Sequence, residues 1–173
     1  MAIFTDRIIQ AAKLEVRLYQ QAKAHKKAMD HAVRVVILAS LAAGVGSMAG
    51  RGLPGILFGS IAALIGWCVW ALSAYLIGTK LLPETRTKAD MAEFARTVGF
   101  AASPGLAHVL GIIPPLAATV LFVTAMWMLL AMVIAVKEAL DYISTARAVG
   151  VCIAGWIVYL LIAFWLYTVG SVA

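Results

Sequence analysis

Hydrophobic runs and short polar breaks alternate along the whole chain, and the clearest run is 114–136, PPLAATVLFVTAMWMLLAMVIAV, which holds no formal charge. A backbone in hydrocarbon has no water to bond, so such a run must satisfy its own amides as a helix. At about 1.5 Å per residue it spans a bilayer. Pro114 and Pro115 suit its first turn, where a missing N–H costs little, and Lys137, Glu138 and Asp141 mark the return to water. The same pattern predicts spans over 33–50, 53–78 and 147–169, the first two joined by a tight turn at Arg51 and Gly52. The run 98–113 is harder to place. It reaches only about 24 Å as an α-helix and is interrupted by Ser103-Pro104-Gly105, so it reads as a short, kinked span or a re-entrant segment.

Ahead of these runs, 4–27 has the period of an amphipathic helix. Phe4, Ile8, Ala11, Ala12, Leu18, Tyr19 and Ala22 fall on one side, and Asp6, Gln10, Lys13, Arg17, Gln20 and Gln21 on the other. Such a helix either lies in the headgroup layer, with Lys13, Arg17 and Lys23 at the membrane surface, or packs against the cytoplasmic ends of the spans. The interfacial placement is favoured. Small residues recur every four positions at Ala42, Gly46 and Gly50, at Gly55, Gly59 and Ala63, and at Ala146, Gly150 and Ala154. Each set makes a stripe where another backbone can approach, within the chain or from a partner. Trp67, Trp70 and Tyr75 sit deeper than belt aromatics and read as packing.

Composition removes the alternatives to a membrane protein. With 173 residues, 64% hydrophobic and 13% charged, the chain has too few polar side chains to cover a soluble globule. Its length suits one domain over 1–173, an all-α bundle of about five spans with the amphipathic helix at its N-terminus. The net charge of +6 does not point to nucleic acid, because the basic residues gather at helix ends. The polar segment 79–97 carries Lys80, Arg86, Lys88 and Arg96 against Glu84, Asp90 and Glu93. If 98–113 crosses, every Lys and Arg except Arg51 lies on one side, which predicts a cytoplasmic N-terminus and an outer C-terminus. Cys68 and Cys152 fall in apolar runs and are expected as free, buried thiols.

Candidate chemistry is sparse. His108 is the one ionisable side chain well inside a run, and an intramembrane histidine is a functional candidate by default, as a proton relay or cofactor ligand. A haem would need a second axial ligand, and His25 and His31 lie on the cytoplasmic side. No cofactor or metal is therefore expected. Asp141 is expected to cap a helix or to pair with Arg147, without a second carboxylate for catalysis. No phosphate-binding loop, nucleophile elbow or zinc-protease helix occurs.

Several ordered blocks carry a family resemblance. RTVGFAASPGLAHVLGIIP over 96–114 and WMLLAMVIAVKEALDYISTARAVGVCIAGW over 127–156 resemble bacterial members of the Yip1 family, as do DRIIQAAKLEVRLY, the small residues from Ala42 to Gly46, and GWCVWALSAYLIGTKLLP. The resemblance implies five spans and a cytoplasmic N-terminus, in line with the charge count, and offers no catalytic residues. The tyrosine-and-proline motif of eukaryotic relatives is not recognisable, so GTPase binding is not carried over. The expectation is a non-enzymatic protein of a bacterial inner membrane. It would serve as an accessory or scaffold subunit, or membrane organiser, in contact with lipids and with a membrane-protein partner or a second copy. The alternative is a conduit for a small molecule, ion or lipid, centred on the Pro104 break and His108.

Overall fold

The computed structural model describes residues 2–85, 87 and 90–172, which are largely helical with no strand among them. Arg86 and Lys88 of the polar segment lie outside the described residues. Four helices are long and apolar enough to cross a membrane, over Ala28–Met48, Gly52–Leu81, Pro114–Ala139 and Thr145–Ile162. Their flanks expose Phe58, Ile65, Phe122, Leu161 and Phe164, a surface suited to hydrocarbon.

The N-terminal stretch departs from the single helix expected over 4–27. It forms α1 (Ala2–Ala12) and α2 (Val16–Ala24), broken at Leu14, whose φ of 62° is left-handed. The amide of Glu15 reaches back to the Gln10 carbonyl at 3.0 Å and that of Leu14 to Ala11 at 3.0 Å, the two bonds that close a helix C-terminus. Amphipathicity is insensitive to such a stop, because the apolar positions continue on both sides of it. The hairpin packs against protein: α1 lies along 100–112, while α2 contacts the fourth and fifth helices, and Ala11, Leu18, Tyr19 and Ala22 are buried.

Next, α3 (Ala28–Leu76) is two antiparallel arms meeting at Gly52, where φ 64° and ψ −161° demand a residue without a side chain. Pro54 opens the second arm, which ends in a widened π-helical turn, Ile77–Leu81. Asp90 caps α4 (Met91–Gly99), accepting from the amides of Ala92 and Glu93. A 3-10 helix, Phe100–Ile112, continues α4. At about 2.0 Å per residue it reaches some 26 Å, further than an α-helix of the same length. Pro104 has no amide to donate in either helix type, and the three-residue period brings Gly99, Ala102, Gly105, His108 and Gly111 onto one line. That line runs parallel to the first arm of α3: Gly99 against Ala32, Gly105 against Ala39, Gly111 against Gly46. The 3-10 turn Pro114–Leu116 leads into α5 (Ala117–Ala139), and α6 (Thr145–Val172) follows.

Candidate functional site

Two places concentrate polar groups, and they lie at different levels of the bundle. The first is the charged end, where α2, α4 and the π turn meet the α5–α6 connection. Arg96, buried, donates from Nε to the carbonyls of Ala22 (3.0 Å) and Lys23 (3.0 Å) and from Nη2 to Lys23 again. These carbonyls end α2, so a cation there satisfies orphan acceptors and the helix dipole together. Lys23 pairs with Glu93 at 3.6 Å and with Asp141.

The expected pairing of Asp141 with Arg147 is therefore corrected. Asp141 takes the left-handed position (φ 54°) that terminates α5, which turns its carboxylate toward Lys23. Arg147 instead donates to the Pro83 carbonyl at 2.9 Å and lies 3.7 Å from Glu84. Glu84 accepts from the amides of Ile143 (2.8 Å) and Ser144 (3.3 Å), capping α6 from another element. The hydroxyl of Tyr142 sits 2.7 Å from the Gly78 carbonyl and 2.8 Å from that of Leu82, acceptors left over by the π turn. Burial first, and the Glu84 carboxylate second, push this phenol up to about 12 against a smaller opposing pull from Arg147. Lys23 is thus an internal tie between helices, whereas Lys13 and Arg17 are exposed.

The second place is a half-open cavity of about 690 Å³ lined by both arms of α3, the 3-10 helix, α5 and α6. That volume lies within the range of small-molecule sites, about 300–1,000 Å³. Glycines and alanines form much of the wall: Gly46, Gly50, Ala63, Gly66, Gly111 and Ala118 leave the space that larger side chains would fill. Four aromatic rings, Trp67, Trp70, Trp156 and Tyr159, and two methionines, Met128 and Met132, supply the rest. Trp156 and Tyr159 meet edge to face, centroids 5.7 Å apart.

The polar groups of this wall are few and specific. His108 holds its Nδ1 3.0 Å from the Gly105 carbonyl. A carbonyl only accepts, so Nδ1 carries the proton and Nε2 is the ring nitrogen left to act. The indole N–H groups of Trp67 and Trp70 are both buried, and among the described residues neither finds an acceptor. Trp70 is 3% exposed, with its Nε1 beside the bare Cα of Gly155. Ser47 is already committed, donating to the Gly44 and Gly55 carbonyls at 2.8 and 2.7 Å across the α3 hairpin.

The small-residue stripes are consumed largely within the chain. A methyl on Gly46 would run into the His108 carbonyl oxygen, and one on Gly59 into Ser47. Ala42 and Gly55 are buried, Ala63 lines the cavity, Gly150 faces Leu82 and Ala154 packs on the core. Gly50 meets open space, and Ala146 is exposed at the charged end. Of the thiols, Cys152 is buried but Cys68 is exposed, contrary to the expectation for it. Trp67 and Trp70, set aside as packing residues in the sequence, are cavity residues. Their i, i+3 spacing opposite a stripe of glycines was the available signal.

Comparison with family models, with curated proteins and with solved structures finds no match.

Proposed function

We propose that this protein is a multi-pass membrane protein that binds a small, mainly apolar molecule between its helices, in the manner of a carrier or conduit. The cavity carries this reading: 690 Å³ lined by aromatic, methionine and small residues, with a few polar groups fixed in its wall. In the same reading the stretched helix Phe100–Ile112 is a fifth crossing. The N-terminus is then cytoplasmic, and the membrane is the inner membrane of a bacterium. Membership of the Yip1 family, proposed on the blocks 96–114 and 127–156, fits that topology. The accessory-subunit reading draws less support, because Gly46 and Gly59 are occupied by their own chain.

Native mass spectrometry of the protein purified in mild detergent from its own membranes tests the proposal. The wild type should carry a small-molecule adduct, and Ala118→Trp, which fills the cavity, should lose it while staying folded. Equal adducts on both, or none on the wild type, would overturn the reading. An equimolar polypeptide in place of an adduct would favour the accessory subunit.

A further inference from the structure

The cavity is apolar along most of its wall but has one polar pole, and that pole selects among apolar ligands. Among the nineteen residues that line the cavity, none carries a fixed charge, and His108 is the one that can acquire a charge near neutral pH. A carboxylate or phosphate would therefore enter without a counter-ion, at the full cost of desolvation. The ligand that fits is neutral.

A side pocket of about 70 Å³ adjoins the cavity along the first arm of α3, sharing Ala43, Ala63, Trp67, His108 and Met128 with it and adding Ser40. It has room for a small polar group, since a single water needs only about 10–15 Å³. Ser40 is 6% exposed, and its hydroxyl meets no protein acceptor among the described residues, whereas Ser47, Ser60 and Ser73 each donate to a carbonyl of the same α3. His108 stands on the line of the 3-10 helix that faces the first arm of α3. Its Nδ1 is turned back to the Gly105 carbonyl, so Nε2 is the edge of the ring directed away from its own helix. Nε2 too has no protein partner among the described residues. The fully buried side-chain nitrogens without a partner there are the two indoles, so Nε2 keeps open space beside it, and His108 lines both the cavity and the side pocket.

With the proton on Nδ1, Nε2 can only accept, while the Ser40 hydroxyl can give or take. A hydrocarbon meets neither need, and a carbonyl or ether has no proton to give to Nε2. A hydroxyl is the smallest neutral group that donates to one and accepts from the other. Resting on the apolar-ligand reading above, we propose that the cavity takes a lipid alcohol, its hydroxyl head at the side pocket between His108 and Ser40 and its chain along Val120 and Leu121. Leu121, 61% exposed, and Trp156 belong both to the cavity wall and to the outer apolar surface, so the half-open side is where the chain passes into the bilayer. The indole N–H groups take no part in this recognition.

Scintillation-proximity binding to the immobilised, detergent-solubilised full chain tests this with two tritiated probes of equal chain length, dodecanol and dodecane. The wild type should bind the alcohol more tightly. Ser40→Ala removes one hydroxyl, and His108→Phe keeps a flat ring without Nε2. Each should weaken dodecanol binding by about threefold to tenfold, as for one lost hydrogen bond, and leave dodecane binding unchanged. Unchanged dodecane binding also shows that the variants have folded. Equal affinity for both probes in the wild type, or an alcohol affinity that neither substitution alters, would overturn the alcohol assignment while leaving an apolar site in place. If neither probe binds and the native protein carries no adduct, the parent reading falls with it.

Discussion

The two ends of this bundle handle buried polarity in opposite ways. At the charged end, helix termini are closed by side chains from other elements: Arg96 on α2, Glu84 on α6, Tyr142 on the π turn. Around the cavity two buried indole donors have no partner among the described residues, and the walls meet largely through glycine, with Ser47 the side chain that bonds across the two arms of α3. Satisfied polar groups hold an element in one place, whereas open ones inside an apolar wall favour whatever can fill them. The charged end therefore ties the helices together, and the cavity end is where the proposed ligand would sit.

The largest effect should come from the contact that holds the cavity wall together. Gly46→Leu places a branched side chain against the His108 carbonyl and Gly111, both backbone, so the 3-10 helix must move away from the first arm of α3. Overpacking of this kind costs about 1–3 kcal/mol and occasionally more. The upper end is expected here, because a carbonyl cannot swing aside as a side chain can. Thermal unfolding in detergent should show a large loss of stability. Wild-type stability in the variant would mean that the wall is loose and the contrast between the two ends unfounded.

Arg96→Met should come next. It keeps much of the buried stem and deletes the guanidinium that serves two carbonyls, and hydrogen bonds to a charged group are worth about 1.5–3 kcal/mol. The expected loss is about 3 kcal/mol, with α2 released first. Limited trypsin digestion should then cut at Lys23 or Lys26 at protein concentrations where the wild type resists. If the variant is cut no faster, α2 is held by its apolar face alone.

Much of this architecture was legible because hydrocarbon imposes a simple rule on any chain that crosses it. The uncharged run 114–136 and the Arg51-Gly52 turn could be read directly, each from chemistry contained in a few adjacent residues. What escaped depends on neighbours distant in sequence or on a different helical period. Over 100–112 the backbone is a 3-10 helix, and glycine, alanine and histidine every third residue from Gly99 to Gly111 match its period, a pattern that an α-helical wheel scatters. The break at Leu14 carries no glycine to announce it. Asp141 and Arg147 looked paired by proximity, but the left-handed turn at Asp141 separates them, and their partners lie at Lys23 and Glu84. His108 stands out in the sequence as the ionisable side chain well inside an apolar run. Its companions Trp67 and Trp70 were passed over, since orphaned donors exist only in three dimensions.

The smallest effect separates a satisfied end from an unsatisfied one by pH. Tyr142→Phe removes one hydroxyl shared between the Gly78 and Leu82 carbonyls and should cost about 1 kcal/mol, the usual net worth of one such bond. The phenol of the folded protein is pushed up to about 12, while that of an unfolded chain titrates near 10. The folded state thus binds this proton more tightly, so the contribution of Tyr142 is complete below about pH 10 and drains away as pH rises toward 12. Other groups titrate in that window, Tyr19 among them, whose pKa burial also raises, so the informative quantity is the difference between wild type and variant. That difference should be constant from pH 7 to about 9.5 and shrink above it. A gap that persists to pH 12 would mean that the variant loses packing around the ring, and the π turn would then be held by shape and not by the phenol proton.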